Sequence, residues 1–501
     1  MKYKEENFDE REQTINSGNS AEQAANGEVD EDLVLNRRAF NNSKKMKRDY
    51  NDEEKNEYFA DATANSTEGI TLDMYNTPIR QNRTRRVIAK TTTATHKVKF
   101  FKMAYFREDG PPPKTRDAVL YLFRGITIIG LLTPDYNKKC FYVWSLFLNS
   151  LVTLYMPVGF LLSFIMRLHS FSPSEFFTSL QISINCVGAS LKLFVFSLMY
   201  KRLIKATKYM DRLDQRPIDK QGEFMLRQAV AYSNCSSLLF TLLYLSYSSS
   251  TFLSSVINGR PPYQIYNPFI EWRNSTRNFI IQSAIEYVMI DFHCYQQALL
   301  DAYPVIYIMI IRAHLHILSR RISKLGKDEK LKKNQRYEAL VQCVLDHKNI
   351  MHLYNLFSPV ISGTMFVQFL IIGIILGVTT IHIVLFANFF AIVASLFYVA
   401  SILAETFPCS YLANSLMDDS DELSLAIFHS GWPNEEPRYK QVVVFFLQHT
   451  QKTLVLTAMK IFPITMNSNI NVVKFAFSVY TLISQMDLKQ KLKDSVTGQE
   501  D

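Results

Sequence analysis

The sequence predicts an all-α membrane protein of seven transmembrane helices, with a cytoplasmic N-terminus and therefore inverted relative to G-protein-coupled receptors. Three observations predict it. From about residue 140 onward, long apolar runs alternate with short polar ones, and seven runs approach the roughly 20 residues a helix needs to cross a bilayer's hydrocarbon. Lys and Arg gather in alternate connections, the bias that marks the cytoplasmic side. The last apolar run, VVKFAFSVYTLISQM, ends close to the C-terminus.

The chain begins differently. Residues 1 to 75 hold 18 acidic and 10 basic residues with few large apolar ones. Such a stretch buries too little surface to offset its chain entropy, so residues 1–110 are expected to form a polar, disordered cytoplasmic extension. The sign then reverses: 12 Lys and Arg lie between residues 76 and 125. The part of that basic band from Arg80 to Lys102 is suited to anionic headgroups or to enforcing topology. MKYKEENFDEREQ has no apolar h-region, so it does not read as a signal peptide. Residues 111–486 form the expected membrane domain and 487–501 a short extracellular tail.

The seven expected spans run from Cys140 to Met166, Phe176 to Tyr200, about Ala229 to Ile257, about Phe279 to Ile311, about Val360 to Val378, about Ile383 to Leu403 and about Asn469 to Ser484. The fourth carries Glu286, Asp291, His293 and Asp301, and the seventh is short and contains Lys474, so six or eight spans are the alternatives to seven. Before the seventh come the apolar segment Val442 to Leu447 and a helix-like polar run closed by Pro463.

Loop charge sets the orientation. The connection from Lys201 to Arg227 holds eight basic residues and that from Arg312 to Arg336 holds nine, whereas the connection between the third and fourth spans holds Arg260, Arg273 and Arg277. The first two are therefore cytoplasmic and the third extracellular. Asn274-Ser275-Thr276 falls in the outer connection and makes Asn274 the candidate glycosylation site; the sequons at Asn65 and Asn82 lie on the inner side.

Within the fourth span Gln282, Glu286, His293 and Gln297 form one polar helical stripe, beside the apolar face of Ile281, Ile285, Val288, Met289 and Phe292. Ionisable groups at membrane depth face protein or a water-filled cavity, so the stripe should point inward as a structural contact. The acidic run Asp418, Asp419, Asp421 and Glu422 reads as a solvated loop after the sixth span.

Other chemistry has no motif. The six cysteines, at 140, 186, 235, 294, 343 and 409, are isolated, which favours buried thiols over disulfides or zinc. His314 and His316 lie on different helix faces. No phosphate loop, dinucleotide glycine pattern or nucleophile elbow occurs, so the chain does not read as an enzyme, and neither a cofactor nor a nucleic-acid partner is expected. A transporter would show internal repeats or paired broken helices, and none is visible.

Three stretches carry a family resemblance. In the C-terminal run, Val473, Lys474, Ser478, Thr481, Leu482 and Met486 stand in register with the last-helix signature of insect odorant receptors. Upstream, Ala426, Phe428 and Trp432 are similar to that family's Ala-x-Tyr-x-x-x-Trp, with Phe in place of Tyr. Before the first span, Asp117, Tyr121, Arg124 and Gly130-Leu131 resemble its opening pattern. The likeness covers about residues 115 to 486. A gustatory-type relative is the nearest alternative, but its Thr-Tyr-x-x-x-x-x-Gln-Phe ending is only partly echoed by Thr481 and Gln485.

The resemblance implies an odorant-gated, non-selective cation channel in the plasma membrane of a sensory dendrite. Its partners would be a small volatile or pheromone ligand, membrane lipid, and a co-receptor subunit in a heterotetramer. The last helix would line the pore, for which Val472, Phe475, Ala476 and Val479 are the candidates. An apolar stripe of this kind gates by dewetting. The odorant pocket would lie in the outer halves of the spans and needs apolar walls with few polar groups. Candidates are Leu180 and Ile184 in the second span, Tyr244, Tyr247 and Ser248 in the third, Ile285, Met289 and Phe292 in the fourth, and Phe389 in the sixth.

Overall fold

A computed structural model describes residues 113–132, 138–167, 173–257, 259–263, 265–327, 331–386 and 389–485. The polar extension 1–110, the sequons at Asn65 and Asn82, the basic band, Met486 and the tail 487–501 lie outside the described residues.

The described chain is helical apart from one small hairpin. A 3₁₀ turn, Thr115–Val119, runs into α1, Leu120–Ile128. The first long apolar run comprises α2, Lys138–Ser150, a π-helical turn, Leu151–Tyr155, and α3, Met156–Arg167. Then come α4, Pro173–Leu213, α5, Lys220–Ile257, α6, Thr276–Lys324, α7, Lys333–Leu385, and α8, Phe389–Phe428. A shorter α9, Pro437–Thr450, leads through the hairpin β1, Thr457–Ala458, and β2, Phe462–Pro463, into α10, Met466–Gln485.

Six of these runs are long and apolar enough to cross a bilayer, and α10, with 20 residues, supplies the seventh. The helices overrun the expected boundaries at their basic ends. At 1.5 Å per residue the 49 residues of α6 extend about 74 Å, more than twice the roughly 30 Å of hydrocarbon. The basic residues expected in loops therefore lie largely on helical extensions, and the turn between α4 and α5 is only residues 214–219. Leu, Lys, Arg and Met dominate these stretches and are strong helix formers, so nothing ends the helix where the lipid ends.

α6 is the central post. In its most apolar stretch 89% of the residues are buried, against 28–39% in the other five. It contacts α4, α5, α7 and α8, while α10 packs on α7 and α8. One large core fills the basic half, with Phe196, Tyr303, Tyr307 and Phe357 fully enclosed at its centre. The Phe196 and Tyr303 rings lie 5.0 Å apart, and Tyr307 and Phe357 5.6 Å. Two satellite clusters lie toward the opposite end. One holds Val152, Met156, Phe160, Cys186, Tyr263, Ile265, Met289, Ile290 and Cys294; the other joins α7 and α8 to α10.

Two expectations are corrected. The polar run before Pro463 is not helical beyond Thr450 but folds as the β1–β2 hairpin. Met459 and Lys460 take left-handed backbone angles, φ 49° and 60°, as in a mirror-image turn, and Leu454, Leu456, Ala458 and Ile464 are buried in the main core. The acidic run at 418–422 is not a loop but the penultimate part of α8. Asp419 is buried there, accepting from Arg312 Nε at 2.6 Å and lying 3.3 Å from His316 Nε2. At the turn into α5, Asp219 accepts from the Gly222 amide at 2.9 Å, capping the helix, and from Lys324 Nζ at 2.9 Å. The Lys324 hydrogen bond, followed by that cap, holds its carboxyl well below the usual carboxylate range.

After α6 and after α8 the backbone meets itself. Gly326 has φ +72°, and a Cβ built on Gly431 would lie 2.6 Å from the Gly326 carbonyl. The Gly431 amide donates to the Leu325 carbonyl at 2.9 Å. This close approach explains the glycine before Trp432. Gly431→Ala is expected to lower stability by roughly 1–3 kcal/mol through overpacking, measured as a reduced melting temperature of the detergent-solubilised protein.

Candidate ligand-binding site

The satellite cluster toward the non-basic end has the make-up of a small-molecule site. Its walls come from the π turn, α3, α4 and α6, and its cover from the connection between α5 and α6, which contributes Tyr263 and Ile265. Leu151, Tyr155, Ile182, Tyr244 and Phe292 pack around it. The cover is fastened by Glu286. That carboxylate, fully buried on α6, accepts from the backbone amides of Tyr263 at 2.8 Å and Ile265 at 2.9 Å and from Gln282 Nε2 at 2.8 Å. Asn267 donates to Gln282 Oε1 at 2.9 Å, and Tyr155 OH to the Tyr266 carbonyl at 2.9 Å. Burial, ahead of the neighbouring Tyr247, pushes the Tyr263 phenol above its ordinary pKa, so its hydroxyl keeps its proton.

Half of the polar stripe on α6 is thereby explained. Gln282 and Glu286 hold the covering segment. His293 and Gln297 are also buried, and His293 Nδ1 and Gln297 Oε1 have no hydrogen-bond partner.

Beside the cluster lies a buried group of charges that joins five helices. Lys192 of α4 is 1% exposed; its ammonium pairs with Asp301 of α6, donates to Gln368 of α7 at 2.7 Å and lies 3.9 Å from Glu405 of α8. Tyr244 of α5 donates to the other Asp301 oxygen at 2.5 Å. Ionic groups at this depth persist only when paired, and three carboxylate and amide partners around one ammonium meet that requirement. Both acids stand three residues before a helix proline, Pro304 and Pro408. One residue past Glu405, Thr406 donates to Asn469 Oδ1 of α10 at 2.9 Å. Tyr244 thus touches the satellite cluster on one side and the charge group on the other, and the charge group adjoins the last helix.

The structure gathers Tyr244, Met289 and Phe292 about the satellite cluster. Ser248 lies on the Tyr244 face of α5 and is 1% exposed. Ile184 packs on the cluster between α7, α8 and α10; Leu180 is half-buried on α4. Tyr247, Ile285 and Phe389 are 49%, 36% and 73% exposed. On α10, Val472 and Ala476 pack against α7 and α8, Val479 is half-buried, and Phe475 is on the open side with Val473, Phe477 and Tyr480. Asn274 is exposed in a 3₁₀ turn, Trp272–Asn274, just before Ser275 caps α6.

Lys192, Gln368 and Glu405 were not picked out by sequence reasoning, nor were Tyr263 and Ile265. Lys192 does carry a signal, since it is the lone charge inside the second apolar run. Replacing it should be far worse than replacing the pair. Lys192→Met leaves Asp301 and Glu405 buried without a cation and is expected to cost about 3–5 kcal/mol. Lys192→Met with Asp301→Leu should recover part of the loss, measured by surface abundance and melting temperature of the solubilised protein.

The family model described as 7tm Odorant receptor matches residues 172–477. The chain is 41% identical to odorant receptor 42a of Drosophila melanogaster over 398 residues, which is 79% of this chain and 98% of the relative. It is 43% identical to odorant receptor 42b of the same fly over 382 residues, 76% and 96% of the two chains. Among solved structures, the insect olfactory receptor OR5 from Machilis hrabei superposes with a TM-score of 0.62 at 12% identity, covering 74% of this chain and 98% of that one. At that identity the likeness speaks for the fold. The resemblance carried by Trp432, the opening pattern and the last helix is borne out, and the chain, a multi-pass membrane protein and not an enzyme, belongs to the seven-transmembrane odorant receptor family.

Proposed function

We propose that this chain is the odorant-recognising subunit of a ligand-gated, non-selective cation channel, assembled with a co-receptor subunit in the plasma membrane of a sensory dendrite. The observation that supports the reading best is the apolar cluster closed by the Glu286-held segment and joined, through Tyr244 and the Lys192 group, to the start of α10. A volatile molecule gains most of its affinity from burial and dispersion, and this cluster offers both.

In this reading Tyr244, Ser248, Met289 and Phe292 contact the odorant. Leu180, Ile184, Tyr247, Ile285 and Phe389 line its surroundings or the approach from lipid. α10 forms the pore wall, with Phe475 on its open face and Val472, Ala476 and Val479 at the seam with the bundle. The basic ends of α4, α5, α6 and α7 lie in the cytoplasm, following the positive-inside rule, and Asn274 carries a glycan on the outer side. The acidic and basic groups at 1–110 belong to the cytoplasmic extension.

Two experiments test this. Whole-cell recording from cells expressing the chain with a co-receptor should give odorant-evoked cation currents that survive blockade of G-protein signalling, and the chain alone should give none; responses that vanish under the blockade would overturn the channel. An epitope tag at the N-terminus should be detected only after permeabilisation. Labelling of intact cells would reverse the threading.

A further inference from the structure

The basic ends of α6 and α8 bring three metal-binding groups together. His316 of α6 faces Asp419 and Glu422 of α8, and one donor atom from each lies within 4.8 Å of the other two. Asp419 and Glu422 stand three residues apart and so share one face of α8. His314 points elsewhere, enclosed between Thr115 and Arg216. The acidic run on α8 thus gains an imidazole from a different helix, which no spacing in the sequence reveals.

The spacing suits ligands of one ion. His316 Nε2 stands 3.3 Å from Asp419 Oδ1. Two donors on one tetrahedral zinc ion, each about 2.0–2.1 Å from it, are about 3.3–3.4 Å apart. The other oxygen of Asp419 is engaged: Arg312 Nε donates to Oδ2 at 2.6 Å, which holds the buried carboxylate with Oδ1 toward His316. Carboxylates that ligate metals are commonly fixed from behind in this way. Repulsion from nearby cations is limited, because Arg312 is paired with Asp419 and Arg320 with Asp219, at 3.1 Å. A cavity of about 400 Å³, lined by His316 and Glu422 among others, adjoins the three groups, and Glu422 is exposed. An ion has a way in, and water has room to complete its coordination.

We propose that His316, Asp419 and Glu422 bind a divalent transition-metal ion, with Zn2+ the best match, between the basic ends of α6 and α8. One imidazole nitrogen and two carboxylate oxygens suit zinc, whereas Mg2+ and Ca2+ take larger shells made of oxygen alone. The ion clamps α6 to α8, the two helices that also bring Asp301 and Glu405 to Lys192. The site stands apart from the satellite cluster and from α10, so the assignment does not rest on the odorant reading.

The test uses the full chain, purified in detergent and stripped with EDTA, with Zn2+ itself as the probe. Competition against a chromophoric chelator should show saturable binding. His316→Gln and Glu422→Gln should each weaken it about 10-fold or more, since losing a group that merely orients a ligand already costs about 10–100-fold. Zn2+ should raise the melting temperature of the wild type, and the rise should be lost in both variants. Mg2+ at the same concentration should leave it unmoved. X-ray absorption at the zinc edge needs no variant: the expected first shell is nitrogen and oxygen at about 2.0–2.2 Å, with one imidazole. Absence of saturable Zn2+ binding, unchanged affinity in either variant, an equal response to Mg2+, or a sulfur shell at about 2.3 Å overturns the assignment.

Discussion

One ammonium group organises the middle of this protein. Lys192 sits where water is excluded, and its charge is tolerable only because α6, α7 and α8 each bring an oxygen to it. Much of the remaining contact among those helices is apolar, and apolar contacts are nearly indifferent to rotation or sliding in a lipid surrounding. The charge group is not indifferent. It fixes the register of α4 against α6, α7 and α8 at one depth, and Tyr244 adds α5 to the set. The large core of the basic half and the smaller satellite cluster of the other half lie on either side of this group.

The two halves are built differently. The basic half is tied by long helices that outrun the membrane, by aromatic pairs such as Phe196 with Tyr303, and by carboxylates that reach between helices, Asp419 to Arg312 and Glu435 to Arg336 among them. The Gly326 and Gly431 backbones touch there with no side chain between them. The other half is closed by a connecting segment held at the Tyr263 and Ile265 amides by Glu286, at Tyr266 by Tyr155 and the Gly159 carbonyl, and at Asn267 by Gln282.

Much of the fold was legible in the sequence because hydrocarbon thickness imposes a length and charge imposes a side. Six of the seven runs fall within continuous helical stretches, whereas the sixth, expected from about Ile383, begins at the end of α7 and continues in α8. What was not legible was where helices stop, since Lys and Arg continue a helix as readily as Leu does. The hairpin before α10 was hidden because Met459 and Lys460 are not residues that usually take left-handed angles. At the site, the pattern of α6 flagged Glu286 correctly as inward-facing, but a helical wheel cannot say what an inward residue meets. Glu286 meets loop amides, Asp301 meets Lys192, and the pairing needs three dimensions. Glu405 escaped notice because it lies two residues beyond the expected end of its apolar run. Tyr263 and Ile265 escaped because a connection rich in Pro, Asn and Arg reads as solvent-facing.

The covering segment has a kinetic implication. With its Tyr263 and Ile265 amides bonded to the buried Glu286 carboxyl, the aqueous face of the cluster is latched, and a solute arriving from water would have to break several bonds at once. The flanks offer no such obstacle: Leu239, Leu242, Leu243 and Val288 are all turned outward on α5 and α6, presenting oily surface to the lipid. A hydrophobic volatile that first dissolves in the bilayer meets the bundle sideways and at a concentration multiplied by its partition coefficient. Sensitivity would then track lipophilicity as well as fit, and the membrane itself would act as the first sieve.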